Sequence, residues 1–391
     1  MTQWCPRIFL AIPVATFETV CDAFTRQATY CDEHGSPFTA RLLRGLIQAM
    51  REGDPSLQAV ATWQGDPMND ALPLRVAGAL HALVLDGSAP ELARHYPGGN
   101  GEATELALQR AVVEALRLHA PVLTQYLASP PQTNEVGRSA VLLGGFMTIA
   151  AHTGLPLRLF ELGASAGLNT NWDRYHYRLG DSLVGDASST LVLAPVWHGE
   201  LPPATSLNVA ARDACDRSPI DISDEAQRQR LRAYVWADQS SRLKQLDAAI
   251  GVAAQHAVRV EQADASAWIE HVLAAPWPVG VATVIYHTIF WTYLPPDVQA
   301  RIESAIRMAG QAATAVTPLA WLRFEMADFR SHPRLLLSLW PGPQDLHLAD
   351  AQAHGAEIFW HAAAADELLR TAPRHGQAAT SLTIRRFGDP R

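Results

Sequence analysis

From residue 157 onward, short apolar runs alternate with helical stretches, and that alternation constrains the fold of this 391-residue chain more than any other feature. The strand-like runs are LRLFEL, SLNVAARD, AVRVEQAD, VGVATVIYH, PLAWLRFEM and RLLLSLW, with a further candidate at AEIFW. Between them lie GLNTNWDRYHY, the long EAQRQRLRAYVWADQSSRLKQLDAAIGVAAQ, ASAWIEHVLA, and PPDVQARIESAIRMAG, whose helix opens at Pro295 or Pro296. Such a chain covers both faces of its sheet with helices, so an α/β, doubly wound, mostly parallel sheet is predicted. Residues 15–152 read differently. TARLLRGLIQAM, LPLRVAGALHALVLDG and ATELALQRAVVEALRLHAPVLTQYL carry apolar residues at three- and four-residue steps, the helical period. REGDPS, QGDP and YPGGNGE punctuate them as turns. A last helix, EVGRSAVLLGGFMTIAAH, capped by Thr133 or Asn134 and ended by Gly154, leads into the first strand. The expected division is a helical domain over 1–152, a sheet domain over 153–372 and a tail over 373–391.

Composition removes several functions. A formal net charge of -8 argues against a phosphate-binding surface and hence against nucleic-acid partners. Lys244 is the only lysine, which leaves P-loop hydrolysis and pyridoxal Schiff-base chemistry almost nothing to run on. Cys5, Cys21, Cys31 and Cys215 are scattered without C-x-x-C or zinc-type histidine spacing, so no metal site and no disulfide framework are expected. The run IFLAIPVA is short, broken by Pro13 and followed by no clear cleavage site. No run approaches the ~20 apolar residues that cross a bilayer, so no membrane partner is expected and the cytoplasm is the default location.

The stretch Gly163-Ala164-Ser165-Ala166-Gly167 fits two chemistries. As G-x-S-x-G it matches the elbow that exposes a nucleophilic serine. Yet no HGGG-type loop precedes Ser165, and the turn follows what reads as the first strand of the sheet; Asp328, Asp345, His347 and His354 supply only an inventory for a triad. As a cofactor turn it accounts for more residues: Glu161 ends the strand, Gly163 and Gly167 frame the turn, and a helix starts near Leu168 and Asn169. The third-glycine spacing of a dinucleotide fold is missing. After the second strand, Asp213 and Asp216 are placed to accept from a ribose. After the third, Asp264 is placed either to bond an adenine amine, with Ala265 or Trp268 over the ring, or to cap the next helix.

The spacing E-x-G-x-S-x-G resembles the first motif of class I S-adenosylmethionine methyltransferases, with Ser165 where glycine is more usual. Together with QTNEVGRSAVLL, LRAYVWADQSSRLKQLDAAI, VIYHTIFWTYLP, PLAWLRFE and LLLSLWPG, the stretch LRLFELGASAGLNTNWDRYHY resembles the bacterial family of domain of unknown function 2332, from about residue 35 to 362. That resemblance implies a Rossmann-like class I methyltransferase sheet with an N-terminal helical region, and S-adenosylmethionine as cofactor.

VIYHTIFWTYLPP then falls where the reactive carbon would lie. Tyr286, His287, Trp291 and Tyr293 offer a base and aromatic faces for a sulfonium cation, with His287 either removing a proton or simply hydrogen-bonded in the core. Tyr175 and Tyr177, with Asp173 and Arg174, follow the turn closely enough to join them. Asn134, Glu135 and Arg138 precede the first strand, and Arg138 is a candidate partner for the methionine carboxylate or for a surface ion pair. The expected function is an S-adenosylmethionine-dependent enzyme, most simply a methyltransferase acting on a small-molecule acceptor under a helical lid. The alternatives are an intramolecular cyclase releasing methylthioadenosine, a serine hydrolase using Ser165, and a non-catalytic cofactor-binding module. The oligomeric state is left open.

Overall fold

A computed structural model describes residues 15–101, 104–256, 258–327 and 331–370, together with the backbone of 385–386. Cys5, residues 8–14 of the early apolar run, Asp328 and nearly all of the expected tail lie outside the described residues. The chain forms two compact units, one of residues 1–133 with 225–243, the other of residues 134–224 with 244–391.

The helical unit contains Phe17–Glu33, Pro37–Arg51, Leu72–Leu85, Glu105–Leu118 and Ala120–Leu127 as its main helices. Thr16 and Thr104 cap the first and fourth of these by accepting the amides of Thr19 and Ala107. Their apolar stripes meet in a core that includes Val20, Phe24, Leu43, Leu46, Leu80 and Leu116. Ala233 and Tyr234 belong to the same core. Asp238 accepts the Phe38 amide at 2.8 Å, satisfying a donor at the start of the second helix. These contacts break the long helix expected over 225–255 into Glu225–Ala233 and Ser240–Gln255, because residues 225–243 belong to the helical core and Leu246, Ala249 and Ile250 are buried in the sheet unit.

The boundary expected at residue 152 falls instead after Thr133. Helix Arg138–Thr153 is buried almost all round, and such a helix needs packing partners on every side. A Cβ on Gly144 would meet Trp360 at 2.5 Å, and one on Gly145 would meet Leu322 at the same distance, so the helix lies directly on the sheet. Neither Thr133 nor Asn134 caps it; Gly137 occupies that position and makes no side-chain cap.

The sheet unit has strands β1 (Leu157–Leu162), β2 (His176–Leu179), β3 (Ser182–Gly185), β4 (Val192–Leu193), β5 (Val196–His198), β6 (Val209–Asp216), β7 (Val260–Gln262), β8 (Ala282–Thr288), β9 (Leu319–Glu325), β10 (Arg334–Trp340), β11 (Leu346–Ala351), β12 (Glu357–Trp360) and β13 (Arg385–Arg386). Nine of them form a mostly parallel sheet in the order β5-β12-β11-β10-β9-β8-β1-β6-β7. The pairs β1–β6, β6–β7, β1–β8, β8–β9 and β12–β5 are parallel, while β9–β10, β10–β11 and β11–β12 are antiparallel. A second, four-stranded sheet has the order β13-β3-β2-β4. The chain runs from β1 outward to β6 and β7, then crosses back to β8 and β9 on the other side, so the winding direction reverses between β1 and β8. A ligand crevice belongs outside the carboxyl ends of strands at such a reversal.

Every residue of β8 is buried, as a central parallel strand covered on both faces requires. The stretch GLNTNWDRYHY, expected as a helix, is a short 3-10 helix over Leu168–Arg174 followed by β2. The hydroxyls of Tyr175 and Tyr177 donate to the carbonyls of Leu168 and Trp172, which pins the chain back on itself and ends the helix. Strands β2 to β5 and β11 were not expected. The first four have two to four residues each, and LHLADA in β11 alternates polar and apolar residues too weakly to stand out. No helix among the described residues is long and apolar enough to cross a membrane.

Candidate functional site

At the carboxyl end of β1, Gly163, Ser165 and Gly167 have φ of 68°, 55° and 71°. Two of these left-handed positions carry glycine, as sterics favour. Packing adds a second reason: a Cβ on Gly163 would sit 2.2 Å from the Phe290 ring, and one on Gly167 would sit 2.8 Å from Val260. Ser165 takes the same conformation with a side chain, at a cost of about 1 kcal/mol or more. It is 6% exposed, and its buried hydroxyl has no hydrogen-bond partner among the described residues.

Four amides of this turn are used internally. Ala164 N–H donates to the Cys215 carbonyl at 3.0 Å and Gly167 N–H to the Ala164 carbonyl at 2.8 Å. Ser165 N–H donates to Asp216 Oδ2 at 2.8 Å, and Leu168 N–H to Asn134 Oδ1 at 2.9 Å. A phosphate cradle needs such amides free and convergent. With an aspartate already seated on one of them, the turn is unsuited to a dinucleotide's pyrophosphate.

Acidic side chains stand at the carboxyl ends of three neighbouring strands. Glu161 is the penultimate residue of β1, Asp216 ends β6, and Asp264 follows β7 by two residues. Glu161 is 2% exposed, and its one hydrogen bond among the described residues comes from the Tyr286 hydroxyl at 3.1 Å. Burial is the main force raising its pKa to about 8, with Asp216 adding to the rise and the Tyr286 hydrogen bond and the Arg138 charge opposing it. The carboxyl is therefore largely neutral near pH 7. Asp216 Oδ1 accepts the Ser218 amide at 2.8 Å, so both its oxygens are engaged while lone pairs remain.

Asp264 caps helix Ala265–Ala274, with Oδ1 accepting the amides of Ser266 and Ala267 at 3.0 and 3.2 Å. The Ser266 hydroxyl, first among the causes, and these amides hold its carboxyl below the usual range. Its Oδ2 accepts nothing among the described residues. Ala265 is buried at the start of that helix. Trp268, expected to be free to cover an adenine, is core instead: its ring packs edge-on against Phe160 and its Nε1 donates to Glu261 at 3.0 Å. Asp213 is a correction too, since β6 runs on to Asp216 and leaves Asp213 exposed in mid-strand.

The segment before helix Arg138–Thr153 is stitched to the turn, which brings Asn134, Glu135 and Arg138 to the site region. Besides Asn134, the Ser139 hydroxyl donates to Asn169 Oδ1 at 2.7 Å, and Asn169 Nδ2 donates to the Glu135 carbonyl at 3.2 Å. Arg138 donates through Nε to the Ala353 carbonyl at 3.0 Å and through Nη1 to the Thr288 carbonyl at 3.1 Å. It therefore ties the end of β8 to the loop after β11. Asp173 forms a bidentate pair with Arg212 on β6, at 2.7 and 2.8 Å, rather than reaching the turn's open side.

The proposed chemical residues are corrected most. His287 is fully buried: Trp321 Nε1–H donates to its Nε2 at 3.1 Å, and its Nδ1 lies 2.6 Å from Glu325 Oε1. An indole nitrogen only donates, so Nε2 is the accepting nitrogen and Nδ1 carries the proton toward Glu325. Neither nitrogen is left to act as a base or to contact a cofactor. Glu325 also accepts the amides of Phe290 and Trp291, which shapes the loop after β8 and sets Phe290 on Gly163. Trp291 stacks on His287 at 5.1 Å. Tyr293 is 79% exposed. Tyr175 is fully buried with its hydroxyl on a backbone carbonyl, so it is a packing residue. Tyr286 meets the buried acid at the end of β1, donating its hydroxyl to Glu161. Sequence reasoning missed Glu325 and Trp321; a lone acid ending PLAWLRFE was their only signal.

For a serine hydrolase, no base reaches Ser165 among the described residues. Asp345 pairs with Arg323, His347 with Asp350 and His354 with Glu135. A small cleft opens in the helical unit, with His81 and Tyr96 among its lining residues. It holds no acid cluster or strand end, and the chemistry-bearing groups gather at the turn instead.

Comparison with curated proteins finds no match, and neither does comparison with solved structures. The family described as an uncharacterized protein conserved in bacteria, domain of unknown function 2332, matches residues 21–360. With most of its length covered by that match, the chain belongs to the domain of unknown function 2332 family.

Proposed function

We propose that the chain is an S-adenosylmethionine-dependent enzyme with a Rossmann-like sheet, acting as a methyltransferase on a small molecule. The observation that carries this reading is the row of Glu161, Asp216 and Asp264 at the carboxyl ends of β1, β6 and β7, beside the point where the sheet's winding reverses. A donor-rich nucleoside bearing an amine, a ribose diol and an exocyclic amine suits a row of acceptors. The engagement of the Ala164, Ser165, Gly167 and Leu168 amides within the protein favours a ligand without phosphate. Residues of this chain fit the group in one further respect: the buried Ser165 hydroxyl has no partner among the described residues, and such a group costs about 1–3 kcal/mol until something bonds it.

Glu161, Ser165 and Asp216 would hold the cofactor, with Asp264 Oδ2 available to an amine at the edge. Bound S-adenosylmethionine supplies a methyl group activated by a sulfonium. The loop after β8 contributes no base, since both His287 nitrogens are engaged, so the acceptor must arrive already nucleophilic. Alignment then does most of the work. Phe290, held by Glu325, covers the turn and excludes water from Gly163. The hydrolase reading lacks a base at Ser165 and is not favoured.

Calorimetric titration with S-adenosylmethionine and S-adenosylhomocysteine, with NAD as control, tests the proposal. Saturable binding of the first two and none of NAD is expected. No binding by protein shown to be folded would overturn it. Mass analysis of the recovered nucleoside separates the reactions: S-adenosylhomocysteine marks methyl transfer, and methylthioadenosine marks cyclisation.

A further inference from the structure

Among the described residues, one group of three side chains has the geometry of a metal centre, and it lies away from the glycine turn. His347 and Asp350 are on β11, and His361 directly follows β12, the antiparallel partner of β11. Both histidines turn Nε2 to the same carboxylate: His361 Nε2 lies 2.8 Å from Asp350 Oδ2, and His347 Nε2 lies 3.2 Å from Asp350 Oδ1. The ligand atoms all fall within 4.8 Å of one another. Tetrahedral metal–ligand bonds of about 2.0–2.2 Å place neighbouring ligands about 3.3–3.6 Å apart, so side-chain adjustments of about 1.5 Å at most bring the three atoms around one ion.

A plain hydrogen-bonded cluster accounts for only part of this. His361 Nε2 and Asp350 form a well-aligned hydrogen bond. His347 Nε2 is buried and has no hydrogen bond despite its 3.2 Å approach to the carboxylate. A buried imidazole nitrogen close to a carboxylate but not hydrogen-bonded to it is left for a shared ion to satisfy. The two rings meet edge to face with centroids 4.6 Å apart, which brings two nitrogens together without stacking. Arg334 is the opposing charge, with Nε 3.9 Å from Asp350 Oδ1, but its side chain is 50% exposed and free to swing toward water.

We propose that His347, Asp350 and His361 bind a borderline divalent transition metal such as Zn²⁺, Co²⁺ or Ni²⁺. Two imidazoles and one carboxylate favour these ions over Mg²⁺ or Ca²⁺, which prefer all-oxygen sites. The side chains are 38%, 30% and 39% exposed, so the remaining coordination positions open to solvent and take water or a small anionic ligand. The ion staples β11 to the start of helix Ala362–Arg370. Asp350 shares a cross-strand row with Arg334 and Glu325, at the same edge of the sheet as the carboxyl ends of β8 and β9. Three residues past Asp350, the Ala353 carbonyl accepts from Arg138, so the metal anchors the strand that feeds that loop.

The test uses untagged full-length protein, stripped with a chelator and titrated with Co²⁺ near neutral pH while visible absorption is followed. Saturation at one equivalent is expected, with the band abolished by Zn²⁺. His347→Ala, His361→Ala and Asp350→Asn should each weaken binding at least about tenfold while far-ultraviolet dichroism stays unchanged. His347→Gln replaces any of these that fails to fold. A wild-type protein without a saturable band, or a folded His347→Ala/His361→Ala double variant with an unchanged midpoint, would overturn the assignment.

Discussion

The indole N–H of Trp321 donates to Nε2 of His287 at 3.1 Å, and the opposite nitrogen faces Glu325 at 2.6 Å. A histidine held from both sides in full burial positions the loop after β8 and has no nitrogen left for proton transfer. His287→Ala should therefore lower the free energy of unfolding by about 3 kcal/mol, because it strands the Trp321 donor and opens a cavity. Urea denaturation checks the first part. Calorimetry checks the second: the dissociation constant for S-adenosylmethionine should change little. An inactive variant with wild-type stability would restore His287 as a catalytic group.

Glu161 carries a pH signature. Its pKa rises from the ordinary carboxylate value to about 8 in the folded chain, chiefly through burial. Between those two values the unfolded state has released the proton and the folded state has kept it, so stability falls as pH rises from about 4.5 to 8. Glu161→Gln keeps a neutral group there and removes that loss. Its melting temperature relative to wild type should climb between pH 5 and pH 8, and a difference independent of pH would contradict the buried, protonated carboxyl.

Gly163 is left-handed and faces Phe290 at a distance no Cβ tolerates. Gly163→Ala should destabilise by about 2 kcal/mol or more, of which about 1 kcal/mol is backbone strain. Adding Phe290→Ala relieves the clash and not the strain. A double-mutant cycle should show a favourable coupling between the two changes, and additive losses would mean that the ring does not seat against the turn.

Asp264 separates two roles by chemistry. Asp264→Ala removes the helix cap and should cost about 1 kcal/mol, whereas Asp264→Asn retains an accepting oxygen and should recover most of it. The proposed contact to an amine uses Oδ2, so Asp264→Asn, with an NH₂ there, should still weaken cofactor binding several-fold. Equal affinity in wild type and Asp264→Asn would leave Asp264 as a cap alone.

Much of the sheet was legible because its strands are near-continuous apolar runs bounded by turns, from LRLFEL through RLLLSLW. The short strands between His176 and His198 were not, since two to four residues carry too little periodicity, and their pairing is set by partners elsewhere. The long helical pattern over 225–255 concealed a break, because helical period says nothing about which core each half enters. Helix Arg138–Thr153 was visible as a helix, but its assignment to the sheet depended on Gly144 and Gly145 meeting Trp360 and Leu322.

The site divides in the same way. By itself, the sequence determined the acid, the small residues and the order of strands that bring Glu161, Asp216 and the Gly163–Gly167 turn to one edge, since these are local signals of strand ends and tight turns. Only the tertiary structure decided which side chains remain available. The partners of His287 lie 34 and 38 residues away along the chain, and His347, Asp350 and His361 come together only because β11 and β12 pair across the short connection between them. Hydrogen-bond saturation and ligand convergence depend on distances that strand pairing and packing set between separate segments, and no residue pattern encodes those distances directly.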